Sequence, residues 1–427
     1  MDKYMKKVLE LADATSVRLI PEKQKWMWGE GLLMHSLGMI NDLLGEDRYT
    51  DYIMRYADHH INKGLRVDQS DTLAPTLATY YLQKKLGEEK YKKITDRGIE
   101  YIKNSEKIIN NMPNHLGTSP EGKLYPKSVW VDSIMMYGVF TSLYAKENNE
   151  KWLMDFAKSQ PKFFAECLQD EETKLFVHSY WVKSGKKYPH NIFWGRGNGW
   201  VVAATPMLLD NLPEGEEKEK AKQILIEISE SLLKYQRDDG HFELILNNPG
   251  KTKKESSATA LIASGWIHGV REGYLDEKFL EPAKKAFYAV VDDLEMHKDG
   301  YHAVGKEVGL MPMTSTQPEM LILVDEKDEV IGFQEKESCH DGDGLLHRAF
   351  SVFLFDQTGR LLLQKRSQHK RLWGDFWSNS CCFSVALISR RVRPFGGTFG
   401  LKLKGPGLPV ECVSACVFIG TVKNLHG

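Results

Sequence analysis

The chain has 427 residues, 42% of them hydrophobic and 27% charged, the balance of an ordinary globular protein long enough for two or three domains. Its 57 basic and 58 acidic residues leave a net charge of −1, which supplies no field for binding nucleic acid or an anionic membrane. No apolar run reaches the length of a membrane-spanning helix.

The amino-terminal stretch MDKYMKKVLELADATS is helix-forming but interrupted by Lys3, Lys6, Lys7 and Glu10, so it lacks the apolar core of a signal peptide. A cytoplasmic location follows as the expectation. Cysteine usage agrees: Cys167 stands alone before Cys339, and the remaining spacings fit neither paired CxxC zinc sites nor a disulfide framework.

Next, Leu33, Leu37, Ile40 and Leu44 recur at helical spacing, and Tyr49, Ile53 and Tyr56 continue it after a break at Gly45 to Arg48. This predicts two antiparallel helices joined by a tight loop. Above the helices lies a second repetition. Five times a small or polar cluster opens an apolar helix, at Trp26, Ser70, Trp130, Gly195 and Glu255, with room for one further helix between each. Such recurrence predicts a closed or stacked array of helix pairs. The polar starts of its inner helices should converge at one end, where a site is expected.

These clusters carry a resemblance. Trp28-Gly-Glu-Gly, Arg66-Val-Asp-Gln-Ser-Asp71, Trp130-Val-Asp132, Phe176-Val-His178, Phe193-Trp-Gly-Arg-Gly-Asn-Gly-Trp200, Tyr235-Gln-Arg-Asp-Asp-Gly240 and Glu255-Ser-Ser-Ala-Thr-Ala follow one another as in the unsaturated glucuronyl and rhamnogalacturonyl hydrolases, glycoside hydrolase families 88 and 105. The resemblance implies an (α/α)6 barrel over residues 1–316. It also implies a substrate, an oligosaccharide ending in an unsaturated uronic acid, whose C4=C5 bond is hydrated so that the adjacent sugar leaves. No cofactor and no metal are expected in the barrel.

By the same resemblance Asp132 is the acid/base, with Asp71 as the partner carboxylate that keeps a proton on it through like-charge repulsion. Burial would raise the Asp132 pKa and a helix N-terminus would lower it. The plainer reading of both aspartates is helix capping, and Asp68 is structural. Arg196 and His178 are substrate contacts, the guanidinium suiting the uronate carboxylate, with a surface arginine and a core histidine as the alternative. Trp28, Trp130 and Trp194 stack on sugar rings or are simply core. The glycines around Arg196 do not make a phosphate loop, since no strand precedes them and no Lys-Ser/Thr follows.

The pattern stops before a sixth inner helix. From Gln317 the chain turns to alternating strand character, QPEMLILVDEKDEVIGFQEK. The barrel should therefore lack its last inner helix, exposing apolar flanks and favouring self-association; the oligomeric state itself stays open.

Residues 317–382 resemble the amino-terminal part of type 1 isopentenyl-diphosphate isomerase, a metal-dependent Nudix-like α/β enzyme, through Leu321-Ile-Leu-Val-Asp, Cys339-His340, Leu345-Leu-His347-Arg-Ala-Phe-Ser-Val-Phe-Leu-Phe, Leu361-Leu-Leu-Gln-Lys-Arg and Trp377-Ser-Asn-Ser-Cys-Cys382. The resemblance makes Cys382 a vestigial proton-transfer residue and His340 and His347 vestigial ligands of a divalent metal, needed only if that piece functioned. The His-Pro and glutamates that should follow Cys382 are missing, so the piece is expected to be inactive. Residues 383–427 fit neither family: glycine-rich, basic apart from Glu411, without sustained period, and readable as an out-of-frame translation or a basic tail. The readings in play are a hydrolase of unsaturated uronyl oligosaccharides, an isomerase with an added helical domain, and a non-catalytic chimera.

Overall fold

The computed structural model describes residues 3–303 continuously, then 320–327, 329–335, 339, 344–355, 363–365, 377–378, 381–384, 398–399 and 414–422. It divides into two compact units, Met1–Thr316 and Gln317–Gly427.

The first unit is helical: α1 (Lys3–Arg18), α2 (Trp28–Leu44), α3 (Thr50–Asn62), α4 (Ser70–Leu73), α5 (Thr76–Leu86), α6 (Glu89–Asn104), α7 (Pro120–Leu124), α8 (Val139–Asn148), α9 (Lys151–Leu168), α10 (Gly195–Leu209), α11 (Glu216–Leu233), α12 (Ser256–Arg271) and α13 (Leu280–Asp292). Hairpins α2/α3, α5/α6, α8/α9, α10/α11 and α12/α13 pack as pairs, while α2 on α5, α8 on α10 and α10 on α12 form an inner wall. All five predicted openings stand at the starts of inner helices, and the break at Gly45 is a left-handed C-cap at φ 66°.

Small residues let the inner helices approach. A Cβ on Gly265 of α12 would lie 2.2 Å from the Val202 carbonyl oxygen of α10. For the same reason the expected stripe on α2 is shifted. Gly31, Met34, Leu37, Gly38 and Asn41 are its buried positions, whereas Leu33, Ile40 and Leu44 are only partly covered, because an inner helix is touched from several sides and small residues take the closest contacts.

Among the described residues the inner wall has five members; residues 304–319, where the chain was expected to leave the barrel pattern, lie outside them. Its two ends carry exposed flanks: Met39 and Leu43 of α2 are 50% and 69% exposed, and Ala260 and Ser264 of α12 are also exposed. The buried residues fall into two clusters, one around α2, α3 and α5 and a larger one spanning the rest. No described helix is long and apolar enough to cross a membrane.

Short strands join the helices at the polar end: β1 (Lys107–Ile109) with β2 (Met112–Pro113), then β3 (Ser128–Trp130), β4 (Ser179–Trp181) and β5 (Lys186–Tyr188) in one antiparallel sheet, and the hairpin β6 (Glu295–His297) with β7 (Gly300–His302). The third inner helix begins as a π-helical turn, Ile134–Gly138, which periodicity did not foretell.

In the second unit β8 (Met320–Val324) and β9 (Val330–Glu335) form the predicted hairpin. β10 (His347–Phe355) follows, then the short pair β11 (Gln364–Lys365) and β12 (Trp377–Ser378), then β13 (Cys381–Ser384) and β14 (Thr398–Phe399). The terminal stretch expected to lack any period also yields β15 (Ser414–Val422), which pairs with β10 along its whole length. Its run Ala415, Cys416, Val417, Phe418, Ile419 suits a strand without alternating. The chain around Thr316 and His340 lies outside the described residues. Cys382 sits on β13 opposite Ser351, and His347 opens β10, buried, with Nδ1 2.7 Å from the Leu345 carbonyl.

Candidate active site

Backbone pairing brings the site together. In the β3/β4 ladder Trp130 stands opposite Ser179, and the next step is a hydrogen bond from Val131 N–H to the His178 carbonyl at 2.9 Å. That register sets Asp132, one residue beyond, beside His178. His178 Nε2 lies 3.2 Å from Asp132 Oδ2, with the imidazole buried and its Nδ1 without a hydrogen-bond partner.

Neither aspartate is a cap. Gln69 caps α4, in a reciprocal box with Thr72, and Asp71 lies in the first turn behind it. Asp132 precedes the π-turn, its carbonyl accepting from Met135 and Met136 N–H while its carboxylate turns to His178. Asp68 is structural, accepting from Thr72 Oγ1 at 3.1 Å.

The electrostatics differ from expectation. Burial and the neighbouring Asp132 charge push Asp71 up to about 7. Burial would raise Asp132 too, but the hydrogen bond from His178 and the imidazoles around it overcome this and hold that carboxyl below the ordinary range. The like-charge coupling raises Asp71 rather than Asp132, the reverse of the expected assignment.

His115, which the sequence did not single out, completes the cluster. It comes from the loop after β2, stacks on Trp130 with centroids 4.3 Å apart, and faces Asp71 Oδ1 at 3.6 Å. Burial lowers its pKa to about 4, leaving the ring neutral.

Arg196 opens α10 on the other side of His178. Its guanidinium lies 4.9 Å over the Trp194 ring, and Nη1 reaches Ser257 Oγ at 3.3 Å and Glu255 Oε1 at 3.9 Å. Glu255, fully buried, caps α12 through Ala258 N–H. Arg196 Nε is buried with no hydrogen-bond partner, so the guanidinium retains donor capacity.

The tryptophans separate by exposure. Trp194 is 2% exposed and serves as a floor under Arg196, with no face left for a sugar. Trp130 is 6% exposed and lies between His115 and His178. Trp28 is half-buried, set edge-on against Trp200 at 5.8 Å, and is the one of the three with surface to offer.

Helix pairs around an inner wall, with carboxylates gathered at its polar end, define an (α/α)6-barrel glycoside hydrolase fold. The chain belongs to Glycosyl Hydrolase Family 88, whose model matches residues 1–320. It superposes on a crystal structure of a possible GH105 family member from Klebsiella pneumoniae subsp. pneumoniae MGH 78578 with a TM-score of 0.63 at 20% identity, over 70% of this chain and 83% of that one. Over 176 residues it is 30% identical to an unsaturated 3S-rhamnoglycuronyl hydrolase of Alteromonas sp. (strain LOR), covering 40% of this chain and 42% of that protein. The chain therefore spans less than half the length of that curated relative. A 64-residue segment is 58% identical to an isopentenyl-diphosphate Delta-isomerase of Burkholderia multivorans (strain ATCC 17616 / 249), 15% of this chain and 36% of that enzyme.

Proposed function

We propose that the first unit hydrates the C4=C5 bond of a terminal unsaturated uronic acid on an oligosaccharide, with loss of the adjacent sugar. The observation that carries this reading is the Asp71, Asp132, His178 cluster at the polar end of the inner wall, in which one carboxyl is held below the ordinary range and the other is pushed up to about 7. Hydrating an enol ether needs a proton added at C4 and a water activated toward C5, and a carboxyl pair sharing one proton supplies both. Asp71 supplies the proton that Asp132, the proposed acid/base, adds at C4, and Asp132 takes one back from the water that attacks C5. Arg196 takes the uronate carboxylate, His178 orients Asp132, and Trp28 offers an apolar face to the sugar; Trp130 and Trp194 support the residues above them. The chemistry as proposed requires no cofactor.

The substrate class is proposed from the family and from the rhamnoglycuronyl hydrolase relative; lyase products of pectin are among the sources we propose for it. The buried thiol of Cys167 suits a reducing compartment, in keeping with the proposed cytoplasmic location. The isomerase-like segment is proposed to be inactive, because it matches about a third of its relative. Incubation with lyase-generated oligouronides, following the ultraviolet absorbance of the conjugated double bond, tests the reading: absorbance should fall with wild type, and no fall under any condition would leave a non-catalytic chimera.

A further inference from the structure

The polar atoms behind Asp71 form a chain with a definite direction. Ser133 Oγ donates to Ser70 Oγ at 3.1 Å, which uses its one proton. Its contact with His115 Nδ1, at 2.8 Å, must then have the imidazole as donor. A neutral imidazole with Nδ1–H has a bare lone pair on Nε2, and this nitrogen faces Asp71 Oδ1 at 3.6 Å, one small side-chain rotation from a hydrogen bond. A carboxylate facing a lone pair would be repelled, whereas a carboxylic acid can donate to it. Among the described residues no other polar side chain is bonded to the Asp71 carboxyl.

From this direction we infer that His115 is a positioning residue, locked by Ser133 and Ser70 in its Nδ1–H tautomer, whose Nε2 holds the proton on Asp71 and so keeps Asp132 free to act as base. The role deepens the proposed reaction and rests on it, but the tautomer and the proton can be observed without turnover. The groups facing Asp71 all act in the same sense: Asp132 contributes a negative charge, His115 is neutral, and Tyr101 of α6 presents a buried, un-ionised phenol. Burial alone leaves His115 uncharged, which excludes a second ring proton at neutral pH.

Two spectra of the full-length chain test this. In a long-range 1H–15N correlation at pH 6, His115, assigned by its loss in His115→Gln, should show a protonated Nδ1 and an unprotonated Nε2. In the infrared, a protonated carboxylic acid band should be present at pH 6, absent in Asp71→Asn, and titrate near neutrality. Ser70→Ala frees the Ser133 hydroxyl to turn toward Nδ1, so in that variant the band's midpoint should fall toward the ordinary carboxylate range. An Nε2–H or doubly protonated His115, or an acid band unaffected by Asp71→Asn, overturns the inference. If the spectra hold while no oligouronide is consumed, the reaction assigned to the site fails and the proton arrangement stands.

Discussion

Replacing Asp71 with Asn should make the protein more stable, by an amount that grows with pH. Asp71 holds its proton up to about 7 in the folded chain against 3.8 ordinarily, so between those values the folded state carries a proton that the unfolded state has released. Stability of the wild type therefore falls as pH rises through that interval, and the loss is complete above about 7. At about 1.4 kcal/mol for each tenfold in proton affinity, the interval is worth on the order of 4 kcal/mol. Asn keeps the shape and cannot ionise, so Asp71→Asn should match wild type near pH 3.5 and exceed it by up to about 4 kcal/mol at pH 8. Urea unfolding midpoints of the two proteins, compared at half-unit pH steps through tryptophan fluorescence, measure the difference. A difference independent of pH, or a wild type more stable at pH 8, would refute the assignment of the proton to Asp71.

Arg196→Lys retains charge but loses the planar fork, and with it one of the two hydrogen bonds proposed to the uronate, so kcat/KM should fall roughly ten- to a hundredfold in steady-state assays. Gly265→Ala drives a methyl group into the Val202 carbonyl of the neighbouring inner helix, where backbone cannot yield, and should destabilise the barrel by about 1–3 kcal/mol in urea. The double change Met39→Lys and Leu43→Lys, on the exposed flank of α2, should leave the urea midpoint within about 0.5 kcal/mol per site and lower any self-association seen by sedimentation.

Much of the site was legible because its residues open helices. Asp71, Asp132 and Arg196 each stand next to a small-residue cluster that begins an apolar run, and such starts must gather at one end of a ring of helix pairs. His178 was legible through its motif and is fixed by the β3/β4 register. What was missed depends on three-dimensional neighbours. His115 lies in a loop with no periodicity, and no motif marked it. Which aspartate holds the proton depends on His178, 46 residues from Asp132, reaching one carboxyl and not the other. Trp194 could not be told from a sugar platform because burial beneath Arg196 is a property of the folded loop. In the second unit β15 lacked the alternation expected of a half-exposed strand, although its apolar run was there to be read.

Proton transfer by Asp132 is the step on which the proposed reaction depends. Wild type and Asp132→Asn, incubated at equal concentration with the same lyase-generated oligouronide, are compared by the initial rate of absorbance loss. Measurable loss is expected in wild type, and a rate lower by about 10²- to 10⁴-fold in the variant, the usual worth of a positioned acid/base. Equal rates in the two proteins would contradict it.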